Sequence, residues 1–186
     1  MEILRDQLNW KNLSLPLIFL IASLNPFTEE AEFHEQWLFM TTHYLLYIAG
    51  FLIGLKAIRG PIIFLLPGIA LPVFWHVPPF FALAGAYLPW RVANDLTLFL
   101  AGISAGMTIY KLSNVIKILL FVLWMSADSV LSVVLIVGIP AYSDEAYSFS
   151  PFPVSQEPIT GLVMFGIMTA VFVYVVVNLV KSIFHI

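Results

Sequence analysis

The chain contains no cysteine and very little charge. Without a thiol there is no disulfide scaffold, no thiolate metal site, no iron–sulfur cluster and no thiol catalysis. Charged residues are 10% of the 186 positions, where a soluble domain carries roughly 25%. That deficit excludes a water-soluble fold with a polar exterior. Lys and Arg together number 8 and the formal net charge is −3, which excludes a nucleic-acid binder. The sequence has no Walker loop, nucleophile elbow, HExxH or Gly-rich dinucleotide fingerprint, and no nucleophile–base pair is visible. It therefore reads as a non-enzyme. What is plentiful is apolar surface: 61% of residues are hydrophobic and 15% aromatic, with a mean hydropathy of +0.96. The composition implies an all-α, polytopic integral membrane protein, a single membrane domain over residues 1–186, with the cell membrane's lipid bilayer as its first partner.

A helix needs about 20 mostly apolar residues to cross a bilayer. Six stretches qualify by pattern, at about 13–27, 37–55, 61–81, 92–110, 115–138 and 159–184. The first is short. The third holds Pro67, Pro72, Pro78 and Pro79, which predicts a kinked or interrupted helix. The runs are continuously apolar rather than alternating, which argues against a transmembrane barrel. Arg5 and Lys11 ahead of an apolar core resemble a signal peptide, but no small-x-small cleavage site follows, so the segment reads as a span.

With six spans and a cytoplasmic N-terminus, Arg5, Lys11, Lys56, Arg59, Lys111, Lys117 and Lys181 fall inside, and Arg91 alone falls outside. The positive-inside rule thus places both termini in the cytoplasm. Acidic residues lie opposite: Glu29, Glu30, Glu32 and Glu35 after the first span, and Asp144, Glu145 and Glu157 before the last. They form either a solvated rim or a face that attracts cations or a partner. The aromatic, Pro-containing loop 139–158 is expected to fold over the outer mouth. Gly50 with Gly54, and Gly102 with Gly106, are small-residue pairs at four-residue spacing and read as helix-packing seams.

Ionisable groups inside a span cost about 2.5–3.5 kcal/mol at a helix centre and so need a partner or a cavity. Four stand out: His43, His76, Asp95 and Asp128. Gln36, Met40, His43 and Tyr47 recur on one helical face. Imidazole suits copper and zinc, and thioether suits Cu(I). His43, His76, Asp95 and Met40 are therefore the candidate metal ligands, with Met164 a further soft donor. The competing reading is that each group satisfies an internal hydrogen bond. Arg91 and Asp95, one helical turn apart, are placed to pair. Asp128 reads as an interhelical hydrogen bond or a proton-handling group. His34 sits among the outer-loop glutamates as an adventitious or entry metal site, and His185 stands apart near the C-terminus.

Several strings, in order, resemble one family. Met40-Thr-Thr-His43-Tyr-Leu-Leu46 is similar to the His-Met-x-x-His-Leu-Leu segment of the CtaG-type cytochrome oxidase assembly factors. Trp75-His76-Val77-Pro78 resembles that family's Trp-His-x-Pro segment, and Leu96 to Gly102 its following span. Ile139-Pro-Ala-Tyr142 and Gly161-Leu-Val-Met164-Phe165 resemble its Pro-Leu-Tyr and Gly-Leu-x-Met-Trp elements. The likeness runs over roughly 36–182. It implies a membrane protein that handles copper near the outer face while a haem–copper respiratory oxidase is built, with other membrane subunits as partners. The family's histidines carry over onto His43 and His76. At two further family histidine positions this chain has Phe39 and Asp95, and the family's Asp-Gln-Gln element reads Gln156-Glu157-Pro158. Such departures suit a shortened, divergent branch, such as an archaeal one.

Other functions compete. The chain could be a permanent subunit of a respiratory complex, holding haem b through His43 and His76 or lining a quinone site with Trp75, Phe80 and Phe81. It could be a scaffold whose polar groups only tie helices together. Asp128 and the broken third span also suit a transporter, though no inverted repeat is visible.

Overall fold

The computed structural model describes residues 1–184, so His185 lies outside the described residues. Among them are eight helices: α1 (Trp10–Ser23), α2 (Pro26–Ala31), α3 (Gln36–Ala57), α4 (Leu65–Trp75), α5 (Pro78–Ala86), α6 (Leu88–Gly106), α7 (Asn114–Ile136) and α8 (Glu157–Phe184). A small antiparallel ribbon pairs β1 (Glu2–Ile3) with β2 (Ile58–Arg59), with Glu2 opposite Arg59. The bundle thus has a ribbon end and, opposite it, a cap end built from α2 and the loop that precedes α8.

Four helices are long and apolar enough to cross a membrane: α3, α6 with its following turn to Lys111, α7, and Val154–Asn178 within the last helical stretch. A fifth candidate is the bent pair Ile62–Trp75 and Pro78–Ala86, whose halves meet at 75°. The prolines predicted this break. Val77 is extended, as the ring of a following proline demands, and Pro78 restarts the helix at its first turn, where no amide hydrogen is needed. The expected first span, 13–27, is a helix of only 14 residues, or about 21 Å at 1.5 Å per residue. Asn25 ends it early, because its side chain caps α2 by accepting from the amides of Phe27 and Thr28 at 3.1 Å each. The helices of full spanning length are therefore four to five.

α3 and α6 form the central pair, and their glycines explain why. A Cβ on Gly50 or Gly54 would collide with the carbonyl of Phe99 or Ile103 on α6, and one on Gly102 or Gly106 with that of Tyr47 or Phe51 on α3. Four missing side chains let two backbones touch along two turns. Around this pair pack α1, α4 and α5, while α8 joins α3 and carries α7 on its far side. The outer faces of α7 and α8 expose Val115, Leu119, Leu123, Val130, Leu162 and Phe165, as a lipid-facing surface does. The buried aromatic core, with Phe39, Tyr44, Trp75, Phe81, Tyr142 and Phe152, gathers toward the cap end.

Candidate functional site

The break between α4 and α5 positions the site. His76 is the C-terminal cap of α4, and its Nδ1–H donates to the Pro72 carbonyl at 2.7 Å. His43, in mid-α3 and 4% exposed, donates its own Nδ1–H to the Phe39 carbonyl. A carbonyl can only accept, so both imidazoles are held in the tautomer that carries its proton on Nδ1 and leaves a lone pair on Nε2. The ring centres are 5.9 Å apart. Phe39 stands edge-on to His43 at 4.4 Å, and Phe81 lies stacked on it at 6.1 Å. Tyr142, in the loop before α8, donates to the His76 carbonyl at 2.7 Å and packs on Phe81.

His43 Nε2 accepts a hydrogen bond from Asn94 Nδ2 at 2.8 Å, and Asn94 Nδ2 also donates to Asp95 Oδ1 at 3.3 Å. Asn94 is fully buried, and its Oδ1 has no partner among the described residues. Asp128, on α7, accepts from the Tyr44 hydroxyl at 2.9 Å. Two helices and a helix break thus bring two imidazoles together, with an amide against one of them and the Asp95 carboxylate behind that amide.

The candidates sort themselves accordingly. His43 and His76 lie side by side, their ring centres 5.9 Å apart. Asp95 joins them through Asn94 rather than directly. Met40 is buried in the aromatic core beside them in sequence, with Phe39, Tyr44 and Met164. The stripe Gln36–Tyr47 divides among different neighbours: Gln36 donates to the Tyr142 carbonyl and accepts from Thr160, while Tyr47 donates to the Gly68 carbonyl. Among the described residues no three or more His, Asp and Glu side chains gather at one point as a metal cage. His34 is exposed and 3.9 Å from Glu30, away from the site.

Above the site, Arg91 is fully buried but does not form the expected pair with Asp95. Its guanidinium donates to the carbonyls of Ala84, Gly85, Glu29 and Glu32 at 2.9–3.3 Å. Those carbonyls lie at the C-terminal ends of α5 and α2, where the helix dipole is negative and a cation is favoured. The Glu32 carboxylate is 3.9 Å away, and the Phe33 and Phe39 rings flank the guanidinium at 3.7 and 4.8 Å. The acidic rim is therefore mixed. Glu30, Glu35, Asp144 and Glu145 are solvated, while Glu32 and Glu157 are buried. Burial pushes the Glu32 carboxyl up to about 8. Glu157 accepts from the Tyr142 amide, and Gln156 reaches both the Gln36 amide and the His34 carbonyl. As expected, the loop before α8 folds onto the cap end.

Over residues 14–182 the chain matches the family described as Protein of unknown function (DUF1404). It belongs to that family. No curated protein and no solved structure matches it. The DUF1404 match spans every element of the site, from within α1 to within α8.

Asn94 is the site residue that sequence reasoning passed over. The rule that flags polar groups in membranes bears first on ionisable side chains, whose cost is largest. Applied to carboxamides, it marks Asn94 at once, since it stands beside Asp95 in an apolar run.

Proposed function

We propose that this chain is an accessory protein of a haem–copper respiratory oxidase that holds copper as cargo between His43 and His76 and passes it to a partner at the extracytoplasmic face. One observation carries the reading. Each imidazole donates Nδ1–H to a backbone carbonyl four residues earlier, which is the outer-shell arrangement that orients metal-binding histidines and raises their basicity. An ion at about 2.0–2.1 Å from each of two nitrogens sets the ring centres roughly 6 Å apart, and here they are 5.9 Å apart. Two neutral nitrogens among aromatic rings suit a monovalent ion such as Cu(I). The order of motifs shared with the CtaG-type factors supports the link to an oxidase. The haem b alternative is the weaker one, because Phe39 and Phe81 fill the space beside His43 that a macrocycle needs.

A second reading has its own support. Both nitrogens of His43 are hydrogen-bonded, as they are in a residue that only locks helices together. Copper stoichiometry decides. Purified in detergent and loaded with Cu(I), the protein is expected to retain about one ion per chain, and His43→Ala and His76→Ala are each expected to lose it. Retention by both variants, or none by the parent, defeats the copper reading and leaves the scaffold.

The topology belongs to the same proposal: six crossings, with both termini in the cytoplasm. The ribbon ties residues 2–3 to the far end of α3, while Arg91 holds the carbonyls of Glu29 and Glu32 at the cap end. Between those anchors the chain runs the length of α3, which supports a crossing by a segment whose helix is short.

A further inference from the structure

The Nε2 lone pair of His43 is the one a metal would use, and Asn94 Nδ2 already holds it at 2.8 Å. We infer that Asn94 is a displaceable plug on the copper site: its amide must leave His43 before copper can bind there and returns when copper leaves, which makes the site one of exchange rather than storage. The inference rests on the copper reading above and adds how loading and release are balanced.

Three features point to it. First, the donor is fixed by its surroundings. His43 Nδ1–H is committed to the Phe39 carbonyl, so Nε2 can only accept, and it must face the amide nitrogen of Asn94 rather than its oxygen. Second, the plug is only half satisfied. Asn94 Oδ1 is buried with no partner, a state that costs desolvation without return. The carboxamide is therefore less firmly held than a fully bonded buried amide. Third, Asp95 Oδ1, at 3.3 Å, keeps an acceptor beside Asn94 Nδ2, so the amide retains one bond when its hydrogen bond to His43 breaks. Bond for bond, one N–H···N contact is exchanged for one copper–nitrogen bond, and no proton leaves the imidazole. A competing hydrogen bond of this kind weakens cargo binding by roughly 2- to 10-fold, which lowers affinity without removing a ligand.

The test is Cu(I) affinity and release rate, measured against a chromophoric chelator with the full chain in detergent. Asn94→Leu keeps the side-chain volume and Asn94→Ala removes it, so one variant guards against a packing failure in the other. Both are expected to bind Cu(I) roughly 2- to 10-fold more tightly than the parent and to release it more slowly. Unchanged or weaker binding in both, with His43→Ala and His76→Ala still abolishing it, overturns the plug and spares the copper reading. Absence of His-dependent binding in the parent overturns the two together. Removing Asn94 also uncovers the Asp95 carboxylate, so the gain must persist when Asn94→Leu/Asp95→Asn is compared with Asp95→Asn. Its disappearance there assigns the effect to charge and removes the plug.

Discussion

Arg91 and Glu32 are both sealed from solvent, at 0% and 1% exposure, yet the guanidinium is satisfied by four carbonyls more than by the carboxylate. Removing it strands those carbonyls and the cap they join. Arg91→Met is expected to cost about 3 kcal/mol or more, because each buried acceptor left unpaired costs about 1–3 kcal/mol, read as a large fall in the thermal midpoint in detergent. Glu32 gives the opposite kind of test. Its carboxyl, raised by burial to about 8, binds a proton in the folded chain over a range where the unfolded chain has lost it. Stability should therefore fall as pH rises from about 4.5 to about 8 and level off above. Glu32→Gln should flatten that slope; a slope unaltered by the substitution would place its origin in another group. None of this was legible residue by residue. Helical spacing made Asp95 the natural partner of Arg91, because spacing sees one helix, and the carbonyls of α2 and α5 are contributed by chain far away in sequence. The two histidines were legible, since an imidazole in an apolar run is conspicuous. Their proximity was not, because it depends on how far the α4–α5 break swings His76 toward α3.

At the scale of elements, the glycine pairs and the prolines were the readable signals, and for one reason: each acts through the backbone, so its effect is local. Gly102 on α6 has no room for a Cβ against the Tyr47 carbonyl. Gly102→Ala must push α3 and α6 apart and is expected to destabilise by about 1–3 kcal/mol, as overpacking does. Gly166 on α8 has nothing within 4 Å of its would-be Cβ. There the same substitution should be neutral or stabilise by up to about 1 kcal/mol, since alanine is the better helix former. Equal effects at the two sites, measured by thermal unfolding in one detergent, would remove the seam as the organiser of the bundle. The length of α1 was harder to read. Its apolar run continues past residue 23, and Asn25, which caps the next helix, ends it together with Pro26 at that helix's first position.

For the whole molecule the open issue is how often the chain crosses the bilayer, and the short first helix decides it. α3 has 22 residues, or about 33 Å, close to the roughly 30 Å of hydrocarbon. α1 covers about two thirds of that length. The remainder is made up by the turn at Arg5–Gln7 near the ribbon and by α2 beneath Arg91. A crossing there puts the basic residues 5, 11, 56, 59, 111, 117 and 181 on one side, and no other count of spans separates them so cleanly from the acidic cap. The absence of cysteine makes the matter directly measurable, because any introduced thiol is unique. Asp6, Glu30, Ser113 and Asp144 are all exposed. In intact cells an impermeant maleimide should label Glu30→Cys and Asp144→Cys. Asp6→Cys and Ser113→Cys should react only after permeabilisation. If Asp6→Cys and Glu30→Cys report the same side, α1 lies on the membrane instead of crossing it. The N-terminal ribbon would then have to share a face with the cap, which its pairing to the opposite end of α3 does not allow without unfolding one of them.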